Sequence, residues 1–162
     1  METLIILSAN YLYLLVLALA GLVFLRVDTP TKWKMAKLAV FVFPLCFMIA
    51  LLAGNVISSP RPFVVDGLPP LIPAASDNGF PSDHTLLAMA VAAVIFAYHR
   101  KAGSILLLLA AWVGIARVAA NVHHPIDVIG STLIVLTTTL LCYRFLVNRI
   151  PFPRTPENLR GD

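Results

Sequence analysis

Three short segments hold nearly all the chemistry-bearing side chains of this chain: Arg61-Pro62, Pro81-Ser82-Asp83-His84, and Arg117 followed by His123 and Asp127. A guanidinium grips phosphate oxygens in a fixed planar fork. An imidazole whose one nitrogen donates to a carboxylate keeps the other free as a nucleophile or base. Two arginines, two histidines and an aspartate in an otherwise apolar sequence therefore point to hydrolysis of a phosphate ester.

The segment from Arg117 to Asp127 is the most specific. Pro125 suits the first turn of a helix, so a helix is expected to start there. Asp127 then lies about one turn beyond His123 on a similar face. His123 is the expected nucleophile and Asp127 its orienter; His124 fits the same role only in a shifted register. Taken alone, Asp127 also reads as a favourable charge at a helix N-terminus. Pro81-Ser82-Asp83-His84 is expected to open another helix, whose amides and the Ser82 hydroxyl would face an anion. His84 is placed as general acid to the leaving oxygen. The plain alternative is an N-cap, and Asp83 is read as that. Arg61, stiffened by Pro60 and Pro62, would neutralise phosphate oxygens. A metal held by His84, His123, His124 and Asp127 is disfavoured, because two neighbouring arginines repel a cation. No cofactor is expected.

These residues need a scaffold, and composition says which kind. The 162 residues are 59% hydrophobic and only 12% charged, with a mean hydropathy of +0.88. That is about half the charge of a soluble domain. The fold class expected is an all-α, polytopic transmembrane bundle forming one domain over residues 1–162. Apolar runs over residues 4–25, 37–57, 85–98, 105–120 and 126–147 give five spans, the third the shortest. Pro44 is expected to kink the second. Ala18-Leu19-Ala20 before Gly21 resembles a signal-peptidase site, yet the leading Met-Glu-Thr lacks the required positive charge, so the first run is read as a span. Cys46 and Cys142 lie inside apolar runs and read as packing residues.

Charge placement sets the expected orientation. Arg26, Lys32, Lys34, Lys37, Arg100, Lys101, Arg144, Arg149, Arg154 and Arg160 fall on one side, which the positive-inside rule makes cytoplasmic. The net charge of +4 is thus a topology signal rather than a sign of nucleic-acid binding. The N-terminus is expected outside and the C-terminus inside. Arg61 and Arg117 are the two remaining basic residues, and they fall outside with Ser82, His84, His123 and Asp127. Snorkelling alone would not explain why both sit beside histidine-bearing segments.

With its order and spacing, this set resembles the type-2 phosphatidic acid phosphatase superfamily, which also includes the vanadium haloperoxidases. That family's motif is Lys-x6-Arg-Pro, then Pro-Ser-Gly-His, then Ser-Arg-x5-His-x3-Asp, and it maps onto a motif core at residues 54–130 here. The resemblance implies His123 as nucleophile, Asp127 as orienter, His84 as general acid, and Arg61, Arg117 and the Ser82 region as phosphate ligands without a metal. Three positions depart from it: Gly54 stands for the lysine, Asp83 for the glycine and Ala116 for the serine. Asn55 is a candidate stand-in for the lysine. The family's membrane members usually have six spans, so the one not found here would lie at the N-terminal end, away from the motifs. Arg-Pro-Phe and Phe-Pro-Ser-Asp-His-Thr further resemble the bacterial undecaprenyl-diphosphate phosphatase branch. That likeness implies a plasma-membrane enzyme, bacterial or archaeal, acting on a polyprenyl diphosphate at the outer face. The alternatives are a phosphatidic acid or phosphatidylglycerophosphate phosphatase, a lipid-binding or transport protein, and a phosphotransferase with impaired hydrolysis. The partners expected are a phosphorylated lipid and membrane lipids, not nucleic acid.

Three further features carry expectations. The connection at residues 58–80 is long and proline-rich, and Val64, Val65, Leu68, Leu71 and Ile72 are expected to dip into the interface. Ala110, Gly114, Ala116 and Ala120 permit close helix contact. Thr137, Thr138 and Thr139 are expected to bond their own helix backbone.

Overall fold

In a computed structural model describing residues 1–146, the chain forms a helical bundle. In order the elements are α1 (Glu2–Arg26), α2 (Thr29–Val56), the single-turn α3 (Pro62–Val65), α4 (Asp83–Tyr98), α5 (Arg100–Ala119) and α6 (Pro125–Leu141). A π-helical turn, Cys142–Leu146, extends α6. Arg149, Arg154, Arg160 and Val147, which the sequence reading invoked, lie outside the described residues.

Among the described residues, four helices are long and apolar enough to cross a membrane: α1, α2, α5, and α6 with its π turn. The fifth expected span is α4, whose 16 residues reach only about 24 Å, short of a ~30 Å hydrocarbon layer. It packs against α1, α2, α5 and α6. Most of its residues are buried, and several of them are alanines that let neighbouring backbones close in. The outer helices turn large apolar side chains such as Leu14, Phe47, Leu52, Leu108, Leu133 and Leu140 outward. This is the pattern of a multi-pass membrane protein, in which lipid replaces water as the outer solvent.

Local signals explain where the helices begin. Asp28 accepts from the Thr31 amide at 3.4 Å and Pro30 sits in the first turn, so α2 starts ahead of the expected residue 37. Pro44 lies inside α2 without ending it. His99 joins two helices: it closes α4, and its Nδ1 accepts from the Ala102 amide at 3.3 Å to open α5.

The main core gathers Val16, Leu38, Val42, Ala92, Val113 and Val135, with the free thiols of Cys46 and Cys142 buried in it. A smaller cluster joins Ala9, Ala116, Ala120 and Val122 to Ile72. Ile72 is therefore enclosed by protein, contrary to the expectation that it dips into the interface, whereas Val64, Val65, Leu68 and Leu71 are exposed as expected. The small residues of α5 serve packing within the chain: a Cβ at Gly114 would overlap Val128 and press against Thr85. Of the threonines at 137–139 in α6, Thr137 bonds back to Leu133 O, Thr138 is buried beside the Cys46 thiol, and Thr139 is buried with no hydrogen-bond partner among the described residues.

Gly103 lies directly against the backbone of Phe96, where α4 and α5 turn back on each other. Overpacking typically costs about 1–3 kcal/mol. Gly103→Ala is expected to lower the thermal midpoint in detergent accordingly, although alanine is the better helix former; an unchanged midpoint would show that the two helices separate freely.

Candidate active site

The turn after α5 presents His123. Asn121 holds positive φ (61°), a conformation Asn tolerates better than most residues, and the chain reverses into α6 through His124 and Pro125. With Pro125 as the first helical residue, Asp127 falls in the first turn and accepts the His124 amide at 2.8 Å on Oδ2. The same oxygen lies 3.3 Å from His123 Nδ1. The other oxygen, Oδ1, accepts the Ser59 hydroxyl at 2.8 Å. Asp127 is wholly enclosed (0% exposed).

His123 Nε2 faces two guanidiniums, Arg61 Nη1 at 3.3 Å and Arg117 Nη2 at 3.5 Å. Arginine nitrogens only donate, so Nε2 must accept, and the ring proton sits on Nδ1 toward Asp127. The Nε2 lone pair therefore faces two positive charges, an arrangement that chemically suits an anionic group.

Each arginine is braced from behind. Arg61 donates through Nε to Asp77 at 2.8 Å and through Nη1 to Val122 O at 3.0 Å. This pairing holds the Asp77 carboxyl below the usual carboxylate range. A depressed carboxylate keeps its ion pair above that range and loses it as pH falls through the lowered value. Asp77 is largely exposed, so the pair bears on the aim of Arg61 more than on stability. Arg117 is buried and reaches Ala9 O at 3.5 Å. His84, in the first turn of α4, stacks edge-on against Tyr13 with ring centroids 4.6 Å apart, within electrostatic reach of Arg117, His123 and Arg61. The N-terminal helix thus supports the site through Ala9 and Tyr13.

Other residues stand differently from expectation. Ser82 is fully buried and its hydroxyl pairs with Thr85 Oγ1 at 3.1 Å. Its carbonyl accepts from Ser131 at 3.0 Å, and its amide donates to Asp127 O at 3.4 Å. The Ser82 backbone therefore ties the start of α4 to α6, while its buried hydroxyl is paired within the first turn of α4. Ser82 provides no side-chain cap to α4, where Asp83 lies exposed in the first turn. His124 donates Nε2–H to Pro60 O at 3.0 Å, away from the Asp127 carboxylate. Asn55 spends its amide on Leu51 O in its own helix, so it does not replace the motif lysine. Among the described residues, no three His, Cys, Asp or Glu side chains are grouped to hold a metal ion.

Sequence reasoning missed Ser59, Asp77, Asn78 and Gly79. Asn78 Oδ1 accepts the Ser59 and Phe80 amides at 2.8 and 3.3 Å, while its Nδ2 reaches Gly54 O and Ile57 O at 2.7 and 2.9 Å. The one available signal was the turn-forming triplet Asp77-Asn78-Gly79 itself.

The family model for the PAP2 superfamily matches residues 11–151. The chain belongs to the PAP2 superfamily. It is 34% identical over 128 residues to the "Bacitracin transport permease protein BcrC" of Bacillus licheniformis, covering 78% of this chain and 63% of the relative. To the "Undecaprenyl-diphosphatase BcrC" of Bacillus subtilis (strain 168) it is 38% identical over 86 residues, 53% of this chain and 45% of the relative. To the "Putative undecaprenyl-diphosphatase YbjG" of Escherichia coli (strain K12) it is 30% identical over 134 residues, 82% and 67%. The chain thus spans less than two thirds of the length of the first two relatives. No solved structure matches it significantly.

Gly54, where the family motif has lysine, sits under the Phe80 carbonyl, which would lie 2.9 Å from any added Cβ. The loop fills the place of the lysine side chain. Gly54→Lys is therefore expected to cost about 1–3 kcal/mol of stability by overpacking and not to tighten inhibition by inorganic phosphate. Tighter inhibition at an unchanged thermal midpoint would show that the loop yields and the site accepts a third cation.

Proposed function

We propose that the chain is a membrane lipid phosphatase that removes the terminal phosphate of a polyprenyl diphosphate, undecaprenyl diphosphate in particular. The observation that carries this reading is His123 itself, with a carboxylate at Nδ1 and two guanidiniums at Nε2.

Nε2 attacks the terminal phosphorus while the bond to the bridging oxygen breaks. His84 protonates that oxygen as it leaves on the lipid monophosphate. Arg61 and Arg117 neutralise the non-bridging oxygens, where charge concentrates in the transition state. Asp127 holds the Nδ1 proton and stabilises the ring as it becomes positive. Water, losing a proton to His84, then attacks the phosphohistidine and the P–N bond breaks, so inorganic phosphate leaves and His123 is restored. The exposed apolar side chains of α3 beside Arg61 suit a site at the level of lipid headgroups.

Two of the relatives carry diphosphatase names, which favours the diphosphate over a glycerophospholipid. The other carries a transport name. Binding or transport alone does not need a nucleophile, its orienter and an acid, so hydrolysis is the better account. The site opens on the extracytoplasmic face, because the junctions carrying Arg26, Lys32, Lys34, Lys37, Arg100 and Lys101 lie at the other ends of these helices.

Phosphate release by the purified protein with EDTA present, from undecaprenyl diphosphate, phosphatidic acid and phosphatidylglycerophosphate, tests the reaction. The diphosphate is expected to be preferred, with His123→Ala reducing the rate about 10³-fold or more and His84→Ala about 10²-fold or more. Preference for a glycerophospholipid would move the substrate and keep the chemistry; release from none would favour binding or transfer. For orientation, Ala75→Cys in intact cells is expected to react with an impermeant maleimide, and Lys101→Cys only after permeabilisation. The reverse pattern would turn the site to the cytoplasm.

A further inference from the structure

We propose that Ser59 is a positioning residue for the reaction, and that the strand of loop around Asn78 and Gly79 holds it in place. This inference rests on the hydrolase reading above. Asp127 has two carboxylate oxygens with divided duties. Oδ2 serves His123 Nδ1 and the His124 amide, and Oδ1 serves the Ser59 hydroxyl at 2.8 Å. Both Ser59 and Asp127 are buried, so water does not readily supply the missing donor if the hydroxyl is removed.

Ser59 is itself fixed at both ends of its peptide. Its amide donates to Asn78 Oδ1 at 2.8 Å and its carbonyl accepts the Gly79 amide at 2.8 Å. Gly79 has no side chain for a concrete reason: a Cβ there would lie 2.9 Å from Asp127 Oδ2 and 3.1 Å from Ser59 O. The carboxylate that orients the nucleophile is thus gripped by two distant parts of the chain, the start of α6 and the folded-back loop. The Ser59 hydroxyl is spent on Oδ1, the carboxylate oxygen that His123 does not use, so its role is to hold Asp127. Its loss should lower turnover and spare substrate binding.

Other charged and titratable groups surround the pair: His124 on the turn, Arg117 from α5, Arg61 and Asp77 from the loop, and Asp83 and His84 from α4. All are retained in a Ser59 variant, so a changed pH profile isolates the lost donor. A carboxylate deprived of one donor is a stronger base, and the His123–Asp127 pair then holds a proton more tightly.

The test compares Ser59→Ala, Ser59→Cys and Ser59→Thr in the full chain, with thermal midpoints as the check on folding. Ser59→Ala is expected to lower kcat about tenfold, the worth of one hydrogen bond to a charged group, with KM changed little and the acidic limb of kcat/KM displaced to higher pH. Ser59→Cys, nearly isosteric but a poor donor, should fall close to Ser59→Ala, and Ser59→Thr should retain most of the wild-type rate. Equal losses in the cysteine and threonine variants, or none in any, would overturn the proposal. A second readout needs no turnover: the ¹H–¹⁵N signal of the His123 Nδ1–H, assigned by its absence in His123→Ala. It is expected to persist in Ser59→Thr and to broaden or move in Ser59→Cys. If the wild type releases no phosphate, the hydrolase reading fails while this signal still decides whether Ser59 positions the pair. An unmoved signal in Ser59→Cys overturns that role.

Discussion

A carboxylate with no exposure to solvent dictates much of this structure. An isolated ionised group in a low-dielectric interior costs far more than a domain's margin of stability, so Asp127 must be fully paired or neutral. The chain pairs it with a hydroxyl, a backbone amide and an imidazole, and places it at the N-terminus of α6, where the helix dipole favours negative charge. Each partner comes with a demand on the fold. The amide requires the tight turn at His124 and Pro125, the imidazole requires the left-handed residue Asn121, and the hydroxyl requires the loop to return across the bundle. At Gly79 that return leaves no room for a side chain, since a Cβ would lie 2.9 Å from Asp127 Oδ2.

The same logic extends into the bundle. Ser131, one turn beyond Asp127, shares its hydroxyl between Asp127 O and Ser82 O, at 2.9 and 3.0 Å, and so ties the first turns of α6 and α4 together. Gly114 lets α5 approach both at Val128 and Thr85, and Phe80 lies directly against Gly130. His84 and His123, on different helices, are held near one another by this set of contacts and not by any direct bond between them. Lipid outside the bundle gives no hydrophobic drive for helices to associate, so close packing of small residues and buried hydrogen bonds must do that work. The arrangement that assembles the site is therefore also part of what holds the helices together at this end.

Sequence made the helices legible because apolar runs of that length have few alternatives in a membrane; it paired Asp127 with His123 because they lie about one helical turn apart, and it singled out Arg61 and Arg117 as the two basic residues away from the basic junctions. It was silent where a role depends on contact between distant segments. Ser59 meets a carboxylate 68 positions away and an asparagine 19 positions away, and nothing in its neighbours announces either. Ser82 was read as a phosphate donor because hydroxyls at helix N-termini commonly are; the burial imposed by Thr85 and Ser131 is tertiary. Ile72 looked like its exposed neighbours Leu68 and Leu71, and only the loop's path over Ala116 and Val122 encloses it. The short α4 was recognisable as apolar, but its place as the helix the others surround was not.

The departures at Gly54 and in the loop belong to one arrangement. A lysine at position 54 would need the space now held by the Phe80 carbonyl, and Asn78 closes that space by bonding Gly54 O and Ile57 O. The residue before Asn78 is Asp77, which takes the Arg61 Nε. The loop that excludes a third cation thus also holds one of the remaining two. A lysine ammonium sits on a flexible stem and loses rotamer freedom each time it binds a phosphate, whereas a guanidinium braced by Asp77 and Val122 O has already lost it. With one cation fewer than the family motif, the site keeps Arg61 in a fixed aim through Asp77 and Val122 O. The turn that braces Arg61 through Asp77 also fixes Ser59 through Asn78 and Gly79, so the placement of Arg61 and that of the His123–Asp127 pair are set together.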